Sequence, residues 1–294
     1  MANNNKLISW LILVILALIW GSSFILIKRG LLVFAPGEVG AIRVISAGLF
    51  LAPFAIRKLG SLQKKYFLML FFVGMVGSFI PAFLFAKAQT GIDSSIAGAL
   101  NAITPFFVLL IGVLVYKQSM SRNVVVGILI GLVGTIMLIM AGSDGGFASL
   151  NFYALYIVGA TLCYGINVNL IKYRIADLSA LTITSVAMLL TLPMTVVYLL
   201  TMTDFVSKVS NHELAYSSLG YLTLLGVLGT AIALVLFNYL IKITSPVFSS
   251  SVTYLVPIVA VIWGLVDGEV LLPGHYIGMI AIVGGVYLVN KKKK

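Results

Sequence analysis

The chain has 294 residues, 61% of them hydrophobic and 9% charged, with a formal net charge of +11 and a mean hydropathy of +1.14. These values exclude an ordinary soluble globular protein, in which about 25% of residues are charged, and point to a polytopic membrane protein. The basic excess is dispersed among short loops, which argues for membrane topology over nucleic-acid binding, and the single Cys163 excludes a disulfide framework.

Hydropathy predicts ten spans. The first, Leu7 to Ile27, contains no ionisable group, yet its later half carries WGSSF, Trp20 to Phe24. Trp20 lies about 20 Å along the helix from Leu7, still inside the apolar layer, whereas Trp10 suits an interfacial belt. The long apolar region without a small-residue cleavage site reads as a true span and not a cleavable signal. Pro36 to Ile56 follows, opening on a proline suited to a first helical turn and holding Glu38 near its start and Arg43 within it. The remaining spans are Tyr66 to Ala86, Ser95 to Tyr116, Val124 to Ala141, Phe152 to Ile171, Leu178 to Thr201, Leu219 to Ile241, Pro246 to Val266 and Gly274 to Asn290. Pro81, Pro105 and Pro257 fall inside spans, where each removes a helix hydrogen bond and is expected to act as a bend or hinge. Gly127/Gly131 and Gly274/Gly278 have the four-residue spacing of tight helix contacts, within a repeat or between protomers.

Cytoplasmic loops carry an excess of Lys and Arg. With the amino terminus inside, the inner segments hold Lys6, Arg57, Lys58, Lys64, Lys65, Lys117, Arg122, Lys172, Arg174, Lys242 and Lys291 to Lys294. The outer segments hold only Lys28, Arg29, Lys87 and Lys208. Both termini are therefore expected in the cytoplasm, and the basic tail, residues 291–294, is expected to favour anionic membrane lipid.

The chain also aligns with itself. At an offset of 152, Gly77 pairs with Gly229, Phe85 with Phe237, Pro105 with Pro257 and Gly112 with Gly264; at 144, Gly21 pairs with Gly165 and Lys28 with Lys172. Five spans per copy is an odd number, so the second copy must enter the membrane from the opposite side. The expected fold is an all-α membrane protein of ten transmembrane helices in two inverted five-helix repeats, residues 7–141 and 152–290. In such folds the substrate site lies near the midplane between the copies.

LIWGSSF in the first span, GALNAITPFFVLL, SSVTYLVPIVAVIWGLVDGE, and Arg43 within VGAIRVISAGLFLAP resemble the EamA family of the drug/metabolite transporter superfamily over essentially the whole chain. The resemblance implies a ten-helix export carrier for amino acids or other small metabolites. It also implies an acidic residue twelve positions after the proline of helix four or nine; Glu269 fits, whereas the first copy has Lys117.

The expected substrate-binding residues are polar or aromatic groups at matching heights in the two copies. Trp20 and Ser23 share a helix face, and Tyr164 and Asn167 take their places in the second copy. Asn101 and Thr253 each lie four residues before an interior proline, on the face where that proline frees a carbonyl. Asn238 and Tyr254 add a polar group and a ring, and Asn169 is assigned to packing. Interhelical hydrogen bonding is the competing reading for Asn101, Asn167 and Asn238. Arg43 either snorkels to the outer surface or faces an aqueous cavity as the anchor for a substrate carboxylate. Glu38 is solvated or serves proton coupling.

Neither a cofactor nor a metal is expected. His212 and His275 read as outer-loop residues, so no cluster of catalytic or metal-ligating groups forms at membrane depth. The chain has no G-x-x-x-x-G-K-[ST] loop for nucleotide phosphates. The expectation is a secondary active exporter in the cytoplasmic membrane working by alternating access. Alternatives are a lipid or polyprenyl-phosphate flippase and, further off, a channel; an enzyme is not expected.

Overall fold

The computed structural model describes residues 2–118, 122–141 and 152–290; the basic tail lies outside them. Among the described residues there are helices and no strands. The long helices are α1 (Ala2–Leu31), α2 (Pro36–Leu59), α3 (Lys65–Ala88), α4 (Ser94–Tyr116), α5 (Arg122–Ala141), α6 (Tyr153–Arg174), α7 (Ala180–Thr201), α8 (Ala215–Ile243), α9 (Phe248–Val266) and α10 (Pro273–Asn290). A short helix, Phe205–Asn211, lies between α7 and α8. Among the described residues, eight helices, α1 to α4 and α6 to α9, are long and apolar enough to cross a membrane.

Local chemistry sets the helix starts. Pro36 opens α2, and the Glu38 carboxylate turns back to accept the Ala35 backbone N–H at 2.6 Å. Ser179 caps α7 by accepting from Thr182 N at 3.1 Å, and Ser245 does the same for the turn before α9 by accepting from Phe248 N at 3.1 Å. The cap of α4 comes from elsewhere in the chain: the backbone N–H groups of Ser94 and Ser95 donate to the two oxygens of Glu269, each at 3.1 Å.

Three interior prolines coincide with departures from α geometry, whereas Pro53 in α2 and Pro193 in α7 lie in unbroken α-helix. A π-helical stretch, Met75–Phe79, precedes Pro81, and 3-10 turns at Asn101–Ile103 and Ser251–Tyr254 precede Pro105 and Pro257. A proline ring crowds the carbonyl four residues earlier, and those residues, Gly77, Asn101 and Thr253, each lie in the irregular stretch. A second π stretch, Leu225–Ile232, interrupts α8 without a proline.

Apolar side chains divide between an interior and an outer belt. Leu16, Leu70, Ile157, Ile171 and Ile183 are fully buried, whereas Leu11, Leu18, Leu114 and Ile280 are more than half exposed. For a bundle of membrane-length helices, that belt is the lipid-facing surface. The glycine spacing on α5 and α10 is resolved differently from expectation, because these helices pack on each other within one chain. A Cβ on Gly134 would stand 2.8 Å from the Gly278 carbonyl oxygen, and one on Gly285 would collide with the Gly127 carbonyl oxygen.

Candidate functional site

The helices enclose a cavity of about 60 Å³, room for about four waters. Its walls come from Trp20, Ser23, Phe24 and Ile27 on α1, Arg43 on α2, and Gly77, Ser78 and Phe85 on α3. Asn101 and Thr104 of α4, Tyr164, Asn167 and Val168 of α6, Gly229, Thr230, Leu234 and Phe237 of α8, and Thr253 of α9 complete it. Trp20, Ser23, Arg43, Asn101, Tyr164, Asn167 and Thr253 thus converge from distant parts of the sequence on one void.

Most polar groups in the wall are already engaged. The Trp20 indole N–H donates to Gly229 O at 3.0 Å, Ser23 Oγ to Ile19 O at 2.9 Å, and Thr253 Oγ1 to Ser250 O at 2.9 Å. Thr104 Oγ1 donates to Asn101 O at 2.8 Å. Trp20 meets Phe237 edge-on with centroids 5.0 Å apart, and Tyr164 stacks on Phe85 at 6.0 Å. Arg43 is 8% exposed and its Nε donates to Thr230 Oγ1 at 2.7 Å, so it turns into the bundle instead of snorkelling outward. Two buried polar atoms in the wall, Ser78 Oγ and Asn167 Oδ1, have no hydrogen-bond partner among the described residues.

Asn238 and Tyr254 do not line the cavity. Asn238 Nδ2 donates to Thr184 Oγ1 on α7 at 2.9 Å, while Tyr254 packs against the apolar core. Each stands one position past a residue that does line it, Phe237 or Thr253, and one helical step turns a side chain by about 100°. Asn169 packs as expected, donating to Val108 O at 2.8 Å and Gly165 O at 2.9 Å. Of the wall residues absent from the sequence-based set, Ser78 and Thr230 had a signal: they follow the paired Gly77 and Gly229 and match each other at the offset of 152. Thr104 directly precedes Pro105.

Glu38 is not solvated. It is 1% exposed and paired with Lys208 of the short helix at 2.6 Å. At the same end of the bundle, Lys28 bridges Asp267 at 2.7 Å and Glu269 at 2.9 Å, and Arg29 pairs with Asp267. Burial by itself would raise the Glu269 pKa, but hydrogen bonds from Ser94, Ser95 and Lys28 outweigh it and hold the group at about 2. Neighbouring Asp93 is pushed up, first by burial and then by the charge of Glu269. His275 sits in the first turn of α10 and not in a loop, buried, its Nδ1 accepting from Leu272 N at 3.0 Å. Among the described residues no cluster of His, Cys, Asp or Glu is arranged to hold a metal.

Membrane-length helices around an interior cavity lined by aromatic and polar side chains define a membrane transport protein. Two segments, residues 7–140 and 151–291, match the EamA-like transporter family, and the chain belongs to that family. It is similar to the uncharacterized inner membrane transporter YedA of Escherichia coli K12, with 27% identity covering 95% of this chain and 89% of that one. An uncharacterized transporter of Archaeoglobus fulgidus is 25% identical over 62% of this chain and 63% of its own length. A probable amino-acid metabolite efflux pump of Salmonella typhimurium is 25% identical over 50% of this chain and 48% of its own. A solved crystal structure, 16% identical, shares the fold with a TM-score of 0.68 over 96% of both chains.

Proposed function

We propose that this protein is a secondary active exporter of small metabolites, amino acids foremost, working by alternating access across the cytoplasmic membrane, with ten spans in two inverted repeats and both termini inside. The observation that carries this reading is the pairing of helix contacts around the cavity. Gly77 rests on the Asn167 amide and Gly229 on the Ser23 hydroxyl; Gly165 rests on Phe107 and Gly21 on Val259; Gly74 rests on the Ala187 carbonyl and Gly226 on the Arg43 carbonyl. Each pair joins residues matched by the self-alignment, which supports two related bundles around one void, inverted if each holds five spans. The two successive matches to the family support the same division.

Small cargo fits this enclosure better than a polyprenyl chain, since the void holds only a few waters and must widen even for a metabolite. The names of the relatives support the inner membrane and, through the Salmonella protein, amino-acid metabolites. Ion pairs between Lys28 and Asp267 or Glu269, and between Glu38 and Lys208, join the two halves at the end assigned outside. Opening toward that side would have to break them. The deciding experiment is uptake of radiolabelled amino acids into inverted vesicles with and without a pH gradient. Saturable, protein-dependent flux is expected; its absence for every substrate refutes the proposal.

A further inference from the structure

We infer that the cavity selects a cargo bearing one carboxylate, which supplies the missing counter-charge to Arg43 and presents a hydrogen-bond donor to Ser78 and Asn167. This rests on the transport reading and adds to it the charge of the cargo and the residues that read it.

Arg43 sits seven residues after the start of α2, about 10 Å along its axis. Its Nε is satisfied by a neutral hydroxyl, Thr230 Oγ1. No Asp or Glu lines the cavity, and among the described residues no carboxylate oxygen lies within 4.0 Å of the guanidinium. Glu38, on the same helix, is committed to Lys208 and to the Ala35 N–H. Buried charges are ordinarily paired, and a guanidinium fork matches a carboxylate. Cargo can complete the pair; a cation would instead meet an uncompensated like charge.

The second pole follows from a broken correspondence between the halves. Ser78 and Thr230 occupy equivalent places in the two π stretches, and both line the cavity. Thr230 accepts from Arg43. The residue facing the first stretch in the place of Arg43 is Ala187, whose carbonyl supports Gly74 as the Arg43 carbonyl supports Gly226. Alanine offers no donor, and Ser78 Oγ, on a residue 4% exposed, has no partner among the described residues. Beside it, the Asn167 amide lies against Gly77, and its Oδ1 is also unpartnered in a residue 4% exposed. Two vacant buried polar atoms in the same cavity wall as an uncompensated cation suit a zwitterion or a hydroxy acid.

The test uses the purified full chain in detergent, with ligand-induced thermal shifts for alanine, serine, threonine, valine, leucine and phenylalanine. For the tightest of these, its carboxamide and its decarboxylated amine are compared. Both analogues are expected to bind at least about tenfold more weakly. Arg43→Gln should abolish the preference for acid over amide, whereas Arg43→Lys should retain a reduced preference and guards against misfolding of the first variant. Ser78→Ala should weaken the acid while leaving its preference over the amide. Equal affinity of acid and amide, persistence of the preference in Arg43→Gln, or binding of none of the six acids overturns the inference. Carboxylate-dependent binding without vesicle flux refutes export alone, and saturable flux of an amine lacking a carboxylate refutes only this inference.

Discussion

Glu269 caps Ser94 from 175 residues further along the chain, accepting both its backbone N–H at 3.1 Å and its hydroxyl at 2.5 Å. Ser95 does likewise with the other carboxylate oxygen, and Lys28 adds a charge-assisted bond at 2.9 Å. One carboxylate therefore fastens the α9–α10 loop to the starts of α4 and the end of α1. Glu269→Gln keeps an oxygen for part of this cap but loses the charge facing Lys28 and the helix dipole. A loss of about 1–3 kcal/mol in stability is expected, read as a lower melting temperature of the purified protein. Glu269→Leu should cost more, by leaving the Ser94 and Ser95 N–H groups without acceptors.

Acid should act on this end of the bundle in two opposed steps. Glu269 is held at about 2, below its unfolded value, so its contribution is complete above about pH 4.3 and disappears as pH falls toward 2. Asp93 is shifted upward by burial and by Glu269; it destabilises the fold when ionised, and stability returns as pH falls through its raised pKa. Melting temperature should therefore rise on mild acidification and drop steeply below about pH 4. Asp93→Asn should remove the rise and leave the drop. A melting curve that falls monotonically in wild type would contradict this account.

Glycine-mediated packing of α5 on α10 can be tested without approaching the cavity. A Cβ at Gly285 would strike the Gly127 carbonyl and the Gly131 backbone, whereas one at Gly131 has nothing within 4 Å. Gly285→Ala is expected to destabilise by about 1–3 kcal/mol through overpacking, and Gly131→Ala to be neutral or slightly stabilising through helix propensity. Thermal unfolding of the two variants side by side provides the comparison.

Membrane class and the family were legible in the sequence because hydropathy is a local property and the motifs WGSSF and GALNAITPFF survive in one-dimensional form. Trp20, Tyr164, Asn101 and Thr253 could be selected because spacing from a paired glycine or proline fixes the face of a helix. Asn238 and Tyr254 fall outside the wall for the complementary reason: Phe237 and Thr253 take the cavity face, leaving their successors turned aside. Ser78 and Thr230 are hard to single out because a lone hydroxyl in an apolar helix ordinarily bonds its own backbone; both lie in π stretches and line the void. The partners of Glu38 and Glu269 lie 170 and 175 residues away, a relation that no local pattern encodes.

The proposal that Glu38 couples transport to a proton gradient can be tested at the charged end of the bundle. Glu38 lies five residues before Arg43 on α2, and one of its oxygens holds Lys208 while the other, buried, has no partner among the described residues. The carboxylate charge holds the short helix through Lys208, so losing that charge would free the α2 end that carries Arg43. Glu38→Gln removes the charge and keeps the size of the side chain. In inverted vesicles the ratio of initial flux with a pH gradient to that without one should fall to about one, the value for zero coupling. Substrate affinity should stay close to wild type, because Glu38 is not part of the cavity wall. Lys208→Met removes the partner while keeping the carboxylate, so a gradient effect should persist there. A wild-type ratio in Glu38→Gln would assign coupling to another group.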